Sequence, residues 1–129
     1  MTRFKSSGVK ESIYNAIRGL NLAFFSQRNF RIEVFIAIIT IISAIILNFS
    51  ATDMCILLIM IALVIICEFL NSIIEFTLDA VYKNNYSKLV EMAKDMSAGM
   101  VLFVAFTSVI VGLILFGNYI YYYIFKTSG

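Results

Sequence analysis

The stretch CEFLNSIIEFTLDA, residues 67–80, sets Glu68, Asn71, Glu75 and Asp79 near the end of an otherwise apolar run. On an α-helix Glu68, Glu75 and Asp79 fall within roughly 40° of one another, with Asn71 about 60° to one side. Acids in hydrocarbon cost roughly 2.5–3.5 kcal/mol each at the bilayer centre on insertion scales, so the row needs a reason. Without bases on the same segment, such a cluster must take up protons or bind a cation. Oxygen ligands in a chain without His favour a hard ion such as Mg²⁺. Magnesium is usually shared between a few carboxylates and phosphate oxygens, which points toward a nucleotide. No G-x-x-x-x-G-K-[ST] loop occurs, so a conventional phosphate-cradling nucleotide fold is excluded. For Asp79 the plainer alternative is an ordinary solvated helix end.

The elements that must position these residues follow from the apolar runs. The chain has 129 residues, 61% of them hydrophobic, with no Pro, a share that a soluble domain of this size could not hide. Three spans are predicted, over about residues 32–49, 54–79 and 98–125, with a short turn at NFSATD and a polar loop at YKNNY that leads through a mixed helix into AKDMSAGM. Glu33 then stands in the first turn of the first span, at the depth of the acid row. Lys94 and Asp95 stand where the second loop feeds the third span, so the three strips can meet at one level. Arg3, Lys5, Lys10, Arg18, Arg28 and Arg31 precede the first span, and Lys83, Lys88 and Lys94 lie before the third. This bias predicts a cytosolic amino terminus and second loop. Tyr119, Tyr121, Tyr122 and Tyr123 fit an aromatic belt at the outer interface, which suffices to explain them.

Before the first span, Ile13, Ile17, Leu20 and Phe24 recur on one helical face, with Lys10 and Arg18 off it. Residues 9–27 are thus predicted as a helix lying in the membrane surface, with a simple anchor as the alternative. Ala105, Ser108 and Gly112 form a small-residue strip that serves packing either within the chain or between copies. Cys55 and Cys67 lack zinc or redox spacing and read as packing residues. No cleavable signal peptide, repeat or low-complexity segment is expected, and residues 1–129 are read as one all-α membrane domain.

EFLNSIIEFTLD followed by AKDMSAGMVL resembles the two-part signature of the prokaryotic diacylglycerol kinase family, E-x-x-N-[ST]-x-[IV]-E-x-x-x-D and then A-K-D-x-x-[AS]-[AG]-x-V-L. That family of small trimeric membrane enzymes also includes undecaprenol kinases. AIRGLNLAFFSQRNFRIE extends the resemblance upstream, so that it covers about residues 15–117. It implies Glu68 as catalytic base, Glu75 as metal ligand and Asn71 as its polar neighbour. It further implies Lys94, Asp95, Asn85, Tyr86, Ser87 and Asn15 as ATP contacts, and Glu33, Glu68, Asn71 and Ala98 around the lipid. One departure stands out: where the family usually has a second metal-ligating Glu before R-N-F, this chain has Gln27, whose amide can coordinate Mg²⁺ and touch the nucleotide but brings no charge. The family's amino-terminal Arg has no clear match among Arg3, Lys5 and Lys10.

Residues and resemblance together lead to the expectation of Mg²⁺- and ATP-dependent phosphorylation of a membrane lipid hydroxyl. Diacylglycerol is the preferred acceptor and undecaprenol the rival. The expected setting is the bacterial inner membrane, with self-association as a trimer and no nucleic-acid partner. A different class, a non-enzymatic oligomeric channel or transporter subunit using the acids as a cation path, would not require the strips at Glu33 and at Lys94 and Asp95.

Overall fold

In hydrocarbon a backbone must satisfy its own polar groups, and an apolar chain without proline does so as helix. The computed structural model describes residues 8–83, 85 and 87–128. It contains four helices among them: α1 (Val9–Ser26), α2 (Arg28–Ile46), α3 (Ala51–Tyr82) and α4 (Lys88–Lys126). By length and composition α2, α3 and α4 can each cross a membrane. The most extensive packing is α3 on α4, then α2 on α3, while α1 rests against α2. Four spanning hydroxyls find their partner within their own helix: Thr40, Ser43, Thr77 and Thr107 each donate to the carbonyl one turn back.

The helices overrun the predicted spans, because an apolar run marks the hydrocarbon and not the helix, except at the end of α2, which stops at Ile46 where the predicted span runs to residue 49. α2 begins four residues earlier than expected, at Arg28, and α3 continues to Tyr82. α4 is one uninterrupted helix of 39 residues, so the mixed helix and the third span are a single element. At 1.5 Å per residue it is about 58 Å long, well beyond a hydrocarbon core of about 30 Å. α2 ends at Ile46, where Asn48 takes a left-handed φ of 54°. Asn tolerates that conformation better than most residues.

Both ends of the hairpin are tied by side chains. Ser50 caps α3 by accepting from the Asp53 backbone N–H at 3.2 Å. Tyr119 of α4 donates to Asp53 Oδ2 at 2.7 Å, accepts from the Ser50 backbone N–H at 2.8 Å and stacks on Phe49. For Tyr119, then, the aromatic-belt explanation is incomplete, because it also holds the α2–α3 turn. At the other end of α2, Gln27 is the extended one-residue joint to α1. Arg31 closes that joint by donating to the carbonyls of Phe24 and Phe25 at 3.0 and 3.1 Å. A core of Ala44, Leu57 and Leu115, ringed by Phe49, Met54, Ile61, Val111 and Phe116, lies toward the Tyr119 end. The acid row lies at the other.

Candidate functional site

Two contacts set the register of α2 against α3. Phe30 meets Phe69 edge-on with ring centroids 4.9 Å apart, and Ala44 packs against Leu57 in the core. Continued along two antiparallel helices, this register brings Glu33 opposite residues 66–68 and Gln27 opposite residues 72–74. Glu33 is therefore level with Glu68, and Gln27 lies within about a turn of Glu75. Electrostatic repulsion links Glu33 with Glu68 and Glu68 with Glu75. Glu68 is 2% exposed, Asn71 and Ser72 are also buried, and Glu75 is half-buried. Burying an acid beside two others is costly, and the fold does it at the place the helical spacing predicts.

Ser97 joins α4 to this row. Its hydroxyl donates to Asn71 Oδ1 at 2.7 Å and also lies 3.0 Å from the Lys94 carbonyl. Asn71 Nδ2 in turn faces Glu75 Oε1 at 3.5 Å. Further toward the helix ends Lys94 Nζ meets Asp79 Oδ1 at 2.7 Å, with both side chains partly exposed. Asp79 is thus an ion-paired helix end rather than a merely solvated one. Asp79, Lys94, Asn85 and Ser87 share a cleft of about 330 Å³ with Tyr82 and Glu91.

The expected residues divide accordingly. Glu33, Glu68, Asn71 and Glu75 form one row, with Gln27 near its level, and Asn85, Ser87 and Lys94 line the adjoining cleft. Asn15 is exposed on α1, and Asp95 and Ala98 are exposed on α4. Tyr86, Arg3 and Lys5 lie outside the described residues. Sequence reasoning missed Ser97, because a serine between Met96 and Ala98 carries no chemical signature. Only the partner it finds 26 residues away reveals its use.

Among the described residues no group of three or more His, Cys, Asp or Glu side chains is arranged to cage a metal. The donors present fit a different kind of site. Glu75 and the level Gln27 offer a carboxylate and an amide oxygen, a donor set that suits a hard cation bringing phosphate oxygens of its own, as Mg²⁺ does.

Residues 14–116 match the family described as prokaryotic diacylglycerol kinase. A diacylglycerol kinase of Synechocystis sp. is 39% identical over 94 residues, which cover 73% of this chain and 54% of the relative. The chain thus matches about half the length of that curated relative. The family match runs from α1 to the far part of α4 and so takes in every element that shapes the acid row: the chain belongs to the prokaryotic diacylglycerol kinase family.

Proposed function

We propose that this chain transfers the γ-phosphoryl group of ATP to the hydroxyl of a membrane lipid. Diacylglycerol is the favoured acceptor, after the name of the Synechocystis relative, and undecaprenol is the rival. The observation that carries the reading is a buried Glu68 flanked by the acids Glu33 and Glu75, with a polar cleft beyond them. Glu68 takes the hydroxyl proton as the lipid oxygen attacks the γ-phosphorus; ADP leaves and the proton stays on Glu68. Its burial keeps water from competing as acceptor. Glu33, level with it, orients the lipid headgroup together with Asn71 and Ala98. Glu75 and Gln27 would hold Mg²⁺, which when bound supplies charge neutralisation at the β- and γ-phosphates. Lys94 exchanges Asp79 for phosphate oxygens, and Asn85, Tyr86, Ser87, Asp95 and Asn15 are the further ATP contacts. Positioning and electrostatics do most of the work, within the means of four helices.

In this reading the protein sits in the bacterial inner membrane with α1 along the cytosolic surface, and its copies associate as a trimer. The exposure of Ile13, Ile17 and Leu20 supports the placement of α1 along a membrane surface, and the Lys and Arg bias supports the cytosolic side. The low burial of the spans within one chain, 17%, 17% and 6% of their most apolar windows, leaves room for neighbouring copies as well as for lipid, and the number three comes from the family resemblance. Purified protein given Mg·ATP and each lipid alcohol in turn tests the function. Lipid-dependent ADP release with a phosphorylated lipid product is expected, and ADP release indifferent to lipid would refute it. Glu68→Gln should lower turnover by about a hundredfold or more while ATP binding persists. Normal turnover in that variant would remove Glu68 from its role.

A further inference from the structure

Among the described residues, the Tyr119 end of the spans carries one acid and one base, Asp53 and Lys126. They do not pair with each other. Asp53 Oδ2 accepts from the Tyr119 hydroxyl, and Lys126 Nζ lies over the Tyr122 ring, 5.0 Å from its centroid. Both tyrosines belong to a cleft of about 530 Å³, which Asp53, Tyr123, Asn48 and Asn118 also line. Offsets of three, four and seven residues put Tyr122, Tyr123 and Lys126 on the same side of α4 as Tyr119. The cleft therefore has an anionic end at Asp53 and a cationic rim at Lys126. Asp53 Oδ1 has no hydrogen-bond partner among the described residues, so the half-buried carboxylate still has room for a donor.

The depth of the cleft narrows what can fill it. Along α3, Asp53 and Asp79 stand about 39 Å apart. A bilayer with its headgroups is about 40–45 Å thick. With the Asp79–Lys94 pair in one headgroup layer, Asp53 thus reaches the other. The molecules most abundant there are phospholipid headgroups. An ammonium group suits the acidic end twice, as a donor to Asp53 Oδ1 and as a cation against tyrosine faces. A phosphate group suits Lys126. A lone metal ion would leave Lys126 unmatched, and an anionic lipid would meet the charge of Asp53.

We infer that this cleft binds the headgroup of a zwitterionic phospholipid, its ammonium at Asp53 and the tyrosines and its phosphate at Lys126. Asp53 lies about 22 Å along α3 from Glu68, so the site is separate from the acid row. A lipid held there bridges the start of α3 and the end of α4, the two elements that Tyr119 already ties.

The test uses the whole chain in detergent, given dioleoyl phosphatidylethanolamine and dioleoyl phosphatidylglycerol in equal amounts, with native mass spectrometry to count the lipid retained. The tails are the same, so the headgroup decides. Phosphatidylethanolamine should be retained about fivefold more than phosphatidylglycerol. Asp53→Asn, which keeps an oxygen for Tyr119, should bring that ratio to about one. Lys126→Gln should lower retention of both lipids about fivefold, because both carry the phosphate. Lys88→Gln, an exposed lysine at the other end of α4, should change neither quantity. Equal retention of the two lipids by the parent chain, or an unchanged ratio in Asp53→Asn, overturns the inference. Lys126 is exposed near the end of α4, so its variant does not threaten the fold, and unchanged retention there overturns the inference by itself. Phosphatidylethanolamine should also raise the melting temperature more than phosphatidylglycerol does, an advantage lost in Asp53→Asn. Soluble phosphoethanolamine should not displace the lipid; displacement would assign the cleft to a soluble zwitterion and overturn its role as a lipid site.

Discussion

Ser97 differs from the threonines and the other serines of the spans in where it sends its proton. Thr40, Ser43, Thr77 and Thr107 return theirs to their own helix, whereas Ser97 reaches from α4 to Asn71 on α3. With Asn71 Oδ1 held from α4, the amide presents Nδ2 to Glu75, which fixes one carboxylate oxygen and leaves the other free. Ser97→Ala leaves the buried Asn71 oxygen without this donor and frees the amide to turn. Turnover should then fall about tenfold, equivalent to about 1.4 kcal/mol in the transition state, with KM for ATP little changed. Ser97→Thr, which keeps the hydroxyl, should retain most of the rate. Equal losses in both variants would mean that Ser97 only fills space. The acid row itself was legible in sequence, since Glu68, Glu75 and Asp79 at helical spacing in an apolar run have few innocent explanations. Ser97 was not, because its meaning depends on a partner that only the α3–α4 register supplies.

At the scale of elements the same contrast recurs. The hydrophobic runs gave the number and order of the helices, because the hydrocarbon leaves the backbone little choice. They did not give the helix ends, where lipid no longer dictates and single side chains decide: Arg31 at the α1–α2 joint, Ser50 and Asn48 at the α2–α3 turn. Tyr119 is the longest-range of these ties, 66 residues from Asp53 in sequence, and it stood among neighbouring tyrosines that an interfacial belt already explained. Removing its hydroxyl isolates the tie from the Phe49 stack. Tyr119→Phe takes a donor from the Asp53 carboxylate and an acceptor from the Ser50 backbone, a loss of about 1–3 kcal/mol. A lower melting temperature is expected, measured in the same detergent as the parent chain. KM for ATP should not move, because Asp53 and Glu75 are about 33 Å apart along α3. A changed KM with unchanged melting would reverse the roles assigned to the two ends.

For the molecule as a whole, one chain does not cover its own spans. α4 buries 6% of its most apolar window inside the chain, and Leu102, Phe103, Phe106 and Leu113 stand largely exposed. Lipid tails can cover such side chains as well as protein can, so exposure alone drives no association. The acid row adds a constraint that lipid does not meet. Glu68, Glu33 and Glu75 are gathered on thin support, with α4 contributing Ser97 and the rim residue Lys94 on one side and α2 on the other. Glu33 and Glu75 stay only half-buried within one chain, and lipid tails bring no polar group to cover them, so a neighbouring copy is expected to do so. Association should therefore be coupled to activity. In mild detergent the protein mass, measured by light scattering with the detergent subtracted, should be a multiple of 14.6 kDa, and three copies are expected. Diluting protein into excess detergent should lower turnover per chain in step with the fall in mass, and reconstitution at high protein-to-lipid ratio should restore it. A single-chain species of 14.6 kDa with full turnover would show that one copy completes the site alone.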